Sequence, residues 1–216
     1  MSWHAHDLVW ITSKAELMLA ENHQPIPDWV LTSTGPVVVR RAMPIVKQSI
    51  KYIPVGVRGG GKAERCAAYV PTHYILQSIS PYEIVKRKLW ANHPLTTEHS
   101  VFKALDSLIP LLESLGRPWG ITGSCGYELA TGIPQLTPRS DLDLIIDGQT
   151  LWSKADASRW LASWSVKGCR LDIQLETPMG AVALAEWALR DNHVLVKSNH
   201  GPSLVSDPWG LAKESA

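Results

Sequence analysis

Gly123-Ser124-Cys125-Gly126 and Arg139-Ser140-Asp141-Leu142-Asp143-Leu144-Ile145-Ile146, followed by Arg170-Leu171-Asp172-Ile173, form the stretch whose reading decides the fold. Leu142, Leu144 and Ile146 recur at period 2, which predicts a strand over 142–146 with an apolar face. Asp141 and Asp143 then share the other face, with Cα atoms about 6–7 Å apart. Two bare carboxylates that close repel each other unless a cation lies between them. Asp172 sits in a second alternating run, 170–175, predicted as a strand. Three carboxylates from neighbouring strands make an all-oxygen site of the kind Mg²⁺ prefers. A lone Asp-x-Asp is ordinarily the solvent face of a half-buried strand. Here a Gly-Ser turn precedes it, leading into a short helix near 127–131, and such a turn offers backbone N–H groups and a helix N-terminus to phosphate.

Turn, Asp-x-Asp strand and second Asp strand together resemble the nucleotidyltransferase arrangement. That resemblance implies metal-assisted phosphoryl transfer, in which carboxylates hold the metals and the turn holds phosphates. The expected fold class is α+β: a small β-rich N-terminal domain over 1–76, a helical bridge over 77–97, and a nucleotidyltransferase-like (polymerase-β-type) catalytic domain over 98–216, a mixed sheet with helices.

Outward from this stretch, the N-terminal part reads as short strands at 8–11, 37–41, 52–57 and 66–69, punctuated by Pro25, Pro27, Pro36, Pro44, Pro54 and Gly59-Gly60-Gly61. A short helix is predicted over 14–20. Ser80-Pro81-Tyr82-Glu83 is a helix start, with Ser80 as cap and Pro81 at the first helical position. Val101, Leu105, Leu108, Leu112 and Leu115 mark one face of a helix over 98–115, ended by Gly116, with a kink or break at Pro110. Further on come a strand over 119–122, a helix over 153–163, a helix over 177–189 capped by Thr177, and a strand over 194–197. Trp10, Trp29, Trp90, Trp119, Trp152, Trp160, Trp164 and Trp187 sit among apolar neighbours and are expected in the core.

Composition narrows the classes. The chain has 216 residues, 45% apolar and 19% charged, which is too apolar and too weakly charged for a disordered chain. No apolar run spans a bilayer and no signal peptide is evident, so no membrane partner is expected. Cys66, Cys125 and Cys169 are odd in number and widely spaced, which fits neither a disulfide framework nor a zinc pattern. The expected setting is cytoplasmic. A net charge of +1 argues against nucleic acid as a partner. That near-zero sum hides opposed parts: residues 40–65 carry Arg40, Arg41, Lys47, Lys51, Arg58, Lys62 and Arg65 against Glu64 alone, whereas residues 101–216 hold 10 Lys/Arg against 13 Asp/Glu.

Gly123-Ser124, Tyr127-Glu128-Leu129, Thr131-Gly132-Ile133-Pro134 and Ser140-Asp141-Leu142-Asp143-Leu144 resemble the signature of the phosphoribosyl-dephospho-CoA transferases of malonate decarboxylase, the MdcG family of holo-acyl-carrier-protein synthases. Leu171-Asp172-Ile173-Gln174-Leu175-Glu176-Thr177-Pro178, Glu186-Trp187, Gly201-Pro202, His6-Asp7-Leu8-Val9-Trp10 and Gly56-Val57-Arg58-Gly59 with Arg65 fit the same family. The resemblance implies transfer of a prosthetic group from 2′-(5″-triphosphoribosyl)-3′-dephospho-CoA to a serine of the acyl carrier protein subunit, with release of pyrophosphate and Mg²⁺ as cofactor. It implies Asp141 and Asp143 as the metal-binding catalytic pair, with Asp172 third. The gap from Ser124 to Asp141 is longer than the wider superfamily shows. Rival readings are another nucleotidyltransferase, acting on a small molecule or on the citrate lyase carrier, and a catalytically silent binding module of the same fold.

Gly123, Ser124 and Arg139 are the expected substrate-binding residues beside the carboxylates. Arg58 and Arg65 flank a glycine run and offer guanidinium forks to an anion, either the donor's phosphates or an acidic carrier surface. Lys197 is a further candidate for neutralising the triphosphate. Gly123-Ser124-Cys125-Gly126 lacks the G-x-S-x-G elbow, so neither Ser124 nor Cys125 reads as a hydrolase nucleophile.

Overall fold

The computed structural model describes residues 2–20, 25–59, 64–94, 98–190 and 192–210. Gly60, Gly61 and Lys62 of the glycine-rich basic segment, residues 95–97 of the expected bridge and residues 211–216 lie outside the described residues. The chain divides between Ser80 and Pro81 into two compact units.

The N-terminal unit is a single antiparallel sheet. Its strands are β1 (Leu8–Ile11), β2 (Met18–Leu19), β3 (Val37–Val39), β4 (Ile45–Lys47), β5 (Ile50–Arg58), β6 (Arg65–Pro71) and β7 (Ile75–Ile79), with α1 (Asp28–Thr32) inserted. They run in the order β2-β6-β5-β3-β1-β7, and β4 adds to β5. Alternation builds its core: Val9, Val37, Val39, Ile53, Val55, Val57, Ala68 and Val70 share one face and are buried. β-branched residues dominate that list, as a pleated surface favours.

The helix expected over 14–20 does not form. Ser13 caps a single 3₁₀ turn, Lys14–Glu16, and Met18 and Leu19 then pair with Tyr69 and Ala68. Pairing with β6 outweighs the weak local preference for helix. β7 lay unread inside a polar stretch, yet it pairs with β1, Leu8 opposite Ile79.

The C-terminal unit opens with α2 (Pro81–Lys86) and α3 (Ser100–Ser114). β8 (Trp119–Ile121), α4 (Gly123–Thr131), β9 (Leu142–Asp147), α5 (Lys154–Ala162), β10 (Leu171–Thr177) and β11 (Gly180–Ala183) follow. α6 (Leu184–Leu189), β12 (Val194–Ser198) and β13 (Gly201–Val205) complete it. The sheet order is β13-β12-β11-β10-β9-β8. β9 and β10 are parallel, joined across α5; the other pairings are antiparallel. The fold class is therefore α+β, with a β-rich N-terminal unit and a mixed C-terminal sheet carrying helices.

α3 buries Val101, Phe102, Ala104, Leu105, Leu108 and Leu112. Each of the larger side chains contributes about 1.5–3 kcal/mol, so packing rather than propensity holds the helix. No break occurs at Pro110. Its ring sits on the exposed face, where water can take the carbonyl that loses its partner. Gly116 follows the helix at φ +62°.

A second correction concerns 177–189. Thr177 is the last residue of β10 and its hydroxyl donates to the Gly180 carbonyl, closing a tight turn into β11. The helix begins only at Leu184. Gly180, at φ +137°, sits where a side chain would strike the Lys197 backbone. Trp90, Trp119, Trp152 and Trp187 are buried, whereas Trp10, Trp29, Trp160 and Trp164 are only partly so. Trp187 Nε1 donates to the Trp152 carbonyl at 2.7 Å.

Gly126 sets how close α4 comes to the sheet. A Cβ there would lie 2.5 Å from the Ile121 carbonyl oxygen. Gly126→Ala is expected to cost about 1–3 kcal/mol by forcing helix and strand apart. Urea unfolding checks this, and an unchanged midpoint would contradict the close packing.

Candidate active site

β9 and β10 place two of the expected carboxylates side by side. In their parallel register Asp143 is directly opposite Asp172, and Leu142 and Leu144 are opposite Leu171 and Ile173. Both aspartates are half-buried, and Leu142 and Leu144 are buried on the other face. Asp141 lies one step before β9. Its Oδ2 is 3.7 Å from Arg170 Nε in a largely exposed ion pair. Such a pair contributes little stability.

The turn beside them is built on Gly123. It takes φ +63°, and a Cβ at that position would overlap Asp143 Oδ2. Only glycine lets the strand carboxylate come flush against the start of α4. Thr122 is the N-cap but makes no side-chain cap hydrogen bond, and its N–H donates to the Asp143 carbonyl. The first N–H groups of a helix have no partner within it, so Gly123 and Ser124 stand where an anion is favoured.

The loop from α4 to β9, residues 132–141, carries Arg139, exposed in a turn two residues before Asp141. Gly132 ends α4 at φ +70°, its N–H donating to the Glu128 carbonyl. The Gln135 and Leu136 N–H groups donate to Glu128 Oε2 at 2.6 and 2.7 Å. His93 Nε2 is 3.2 Å from Glu128 Oε1. His99 Nδ1 accepts from the Val101 N–H, which leaves Nε2 to donate to the Thr137 carbonyl at 3.1 Å. Sequence reasoning assigned no role to Glu128 or His93. The signal was available: Glu128 falls three residues after Cys125, on the buried face of α4.

Lys197 is not set beside the aspartates. It pairs with Ala181, which pairs with Glu176, four residues beyond Asp172 along β10. That puts it two strands away and roughly 13 Å further along the sheet. Period and charge sign could not reveal this, because register and strand order are tertiary. Arg58 and Arg65 belong to the N-terminal unit, where they face each other across β5 and β6. Like charges directly opposite are destabilising. Arg40 packs its stem over Gly56 in the same sheet, and its buried Nε has no hydrogen-bond partner among the described residues.

Burial pushes the Cys125 thiol well up, with Glu128, Asp143 and Cys169 adding to it. Cys169 is raised by burial too; the Leu142 backbone opposes this and Asp141 and Asp143 add to it. Both thiols stay protonated near neutral pH and neither is a nucleophile. Among the described residues, no group of three or more His, Cys, Asp or Glu is close enough to hold a metal ion. Asp143 and Asp172 form a side-by-side pair, with Asp141 turned to Arg170. The donor chemistry is nonetheless oxygen only, which suits Mg²⁺, an ion commonly bound by one or two carboxylates plus substrate phosphates.

Comparison with known proteins covers nearly the whole chain. Residues 4–81 match the family described as phosphoribosyl-dephospho-CoA transferase MdcG N-terminal domain, and residues 88–208 match the corresponding C-terminal domain. A phosphoribosyl-dephospho-CoA transferase of Pseudomonas fluorescens (strain Pf0-1) is 37% identical over 215 residues, 98% of this chain and 97% of that protein. One of Klebsiella pneumoniae (strain 342) is 38% identical over 204 residues, 94% and 95% of the two chains. No solved structure matches.

Thiol labelling tests the electrostatics. At pH 8 in the native chain Cys125 is expected to resist alkylation and to label only once the chain is unfolded. Peptide mapping by mass spectrometry reads this; native labelling of Cys125 as fast as in urea would contradict it.

Proposed function

The chain belongs to the MdcG family of phosphoribosyl-dephospho-CoA transferases, and on that premise we propose that it attaches phosphoribosyl-dephospho-CoA to the acyl carrier protein subunit of malonate decarboxylase. The donor is 2′-(5″-triphosphoribosyl)-3′-dephospho-CoA and the acceptor is a serine hydroxyl. The new bond joins the serine oxygen to the α-phosphorus. The bond to the pyrophosphate oxygen breaks and the hydroxyl proton is lost. The observation that carries the reading is the placement of Asp143, opposite Asp172 and flush against Gly123 at the start of α4.

Asp143 and Asp172 would hold Mg²⁺, with Asp141 reaching it on release from Arg170; the ion would polarise the α-phosphate and neutralise the departing pyrophosphate. The donor's phosphates complete a ligand set that the carboxylates alone leave short. Gly123 and Ser124 present the N–H groups of the first turn of α4 to the β- and γ-phosphates. Arg139, exposed beside Asp141, adds positive charge on the approach. Together these elements give the C-terminal unit a nucleotidyltransferase-like role. Arg58 and Arg65 bind an anion on donor or carrier, which relieves their mutual repulsion. No helix among the described residues is long and apolar enough to cross a membrane; we place the reaction in the cytoplasm.

The test is direct. The chain is incubated with carrier subunit, donor and Mg²⁺, and the carrier is weighed. A gain equal to phosphoribosyl-dephospho-CoA on one serine is expected, lost in EDTA and lost in Asp143→Asn, which retains size and fold. An unmodified carrier with active donor defeats the proposal, and normal transfer by Asp143→Asn defeats the metal-site assignment. Arg58→Ala with Arg65→Ala is expected to raise one KM several-fold with kcat little changed. The substrate whose KM moves is the one these arginines bind; if neither KM moves, they bind neither.

A further inference from the structure

Residues 132–141 form a ten-residue connection with no regular secondary structure, and it carries Arg139 and Asp141 up to the start of β9. Connections this long are held in place only where something buried takes their backbone groups. Bonds within the loop and to its surroundings hold it. Thr131 Oγ1 accepts from the Ile133 N–H at 3.0 Å, beside the α4 terminus. His99 Nε2 reaches the Thr137 carbonyl at 3.1 Å, and Ser140 Oγ accepts from the Thr137 N–H at 2.9 Å. Between them stands Glu128, whose single Oε2 takes two consecutive N–H groups, Gln135 at 2.6 Å and Leu136 at 2.7 Å.

Glu128 is only 4% exposed. Burying a carboxylate is costly unless hydrogen bonds and an opposing donor compensate. Here both oxygens are used: Oε2 by the loop and Oε1 by His93, 3.2 Å away. His93 is itself held, its ring 4.7 Å from that of Phe102, a fully buried residue of α3. A rigid chain of contacts therefore runs from α3 through His93 and Glu128 to the loop. The short N–H···O distances are those of charge-assisted bonds. An ordinary solvent-facing Glu on α4 would leave the Gln135 and Leu136 N–H groups without this tether.

We infer that Glu128, oriented by His93, is a positioning residue for the transfer reaction: it fixes the 132–141 loop so that Arg139 and Asp141 meet the donor beside Asp143. The inference rests on the proposed function for its kinetic meaning, and on the geometry alone for the tether. Displacing a reacting group by about an ångström can cost roughly 100-fold in rate. Releasing the loop is therefore expected to act on turnover and on donor binding, while leaving the carrier's affinity unaffected.

Glu128→Gln keeps the size but removes the charge: its one carbonyl oxygen must hold both loop N–H groups without charge assistance, and its NH₂ is met only by the His93 tautomer whose Nε2 accepts. Full-length Glu128→Gln, His93→Ala and His93→Gln are compared with the wild type in two measurements. Hydrogen exchange resolved by peptide reads the tether without any assay of activity. Residues 133–141 are expected to exchange faster in Glu128→Gln, with β9 and α3 protected as before. Steady-state transfer is expected to show kcat lower by roughly 10- to 100-fold and donor KM raised, with carrier KM unchanged. His93→Gln, whose amide can still donate to Glu128, should recover part of what His93→Ala loses. Wild-type exchange in the loop overturns the tether. Wild-type kinetics with a released loop overturn the positioning role. Uniformly faster exchange across the C-terminal unit marks Glu128 as merely structural and also overturns it. If Glu128→Gln does not fold, the two His93 variants decide by the same criteria. A wild type that transfers nothing defeats the functional reading, and the exchange experiment still decides the tether.

Discussion

One strand pair organises the C-terminal unit. β9 and β10 run parallel in a register that sets Asp143 against Asp172. Two like charges at adjacent ladder positions oppose folding, and nothing in the backbone requires them there. The apolar partners compensate: Leu142, Leu144, Ile146, Ile173 and Leu175 are buried by the same alternation. A one-residue slip of β9 would expose Leu142, Leu144 and Ile146 and turn Asp143 inward, so the hydrophobic pattern enforces the carboxylate pairing. The electrostatic cost and its compensation lie in the same two strands.

The neighbouring elements follow from that pairing. β8 pairs antiparallel with β9, Ile121 opposite Leu144, which delivers the chain to Gly123 at the level of Asp143. Gly123 must then be glycine twice over, for its positive φ and for the carboxylate that occupies its side-chain space. Gly126 is glycine for a different reason, the approach of α4 to the Ile121 carbonyl. Two glycines three residues apart thus do separate jobs, one for chemistry and one for packing. The long connection that follows has room to carry Arg139 and Asp141 because Glu128 ties down its middle.

The charge asymmetry along the chain acquires a structural form. Within the basic segment, Arg58 and Arg65 become a cross-strand pair, and Arg40 lies over Gly56 on the neighbouring strand. The nearly balanced total conceals a cross-strand arginine pair in one unit and two carboxylates side by side in the other. Both features suit polyanionic chemistry more than a uniform surface would.

Much of this was legible in the residues. Alternation located β9 and β10, and the 3.6-residue spacing located α3, because burial of one face imposes a period on any sequence that satisfies it; Pro and Gly punctuation located β1, β5 and β6. The Gly-Ser turn and the three aspartates marked the candidate site, and the register sets Asp143 beside Asp172. What failed was whatever depends on a partner distant in sequence. Residues 14–20 and 177–183 lack strong periods, and only pairing with β6 and β10 made strands of Met18–Leu19 and Gly180–Ala183. Lys197 read as a candidate for the triphosphate, and strand order sets it two strands from Asp172; Glu128 carried no role in the sequence, and α4 turns it inward. The sequence by itself determined which residues could be acidic, apolar or glycine at each local period. The tertiary structure alone decided which of them meet, since register, strand order and burial are set by contacts between segments that no local pattern encodes.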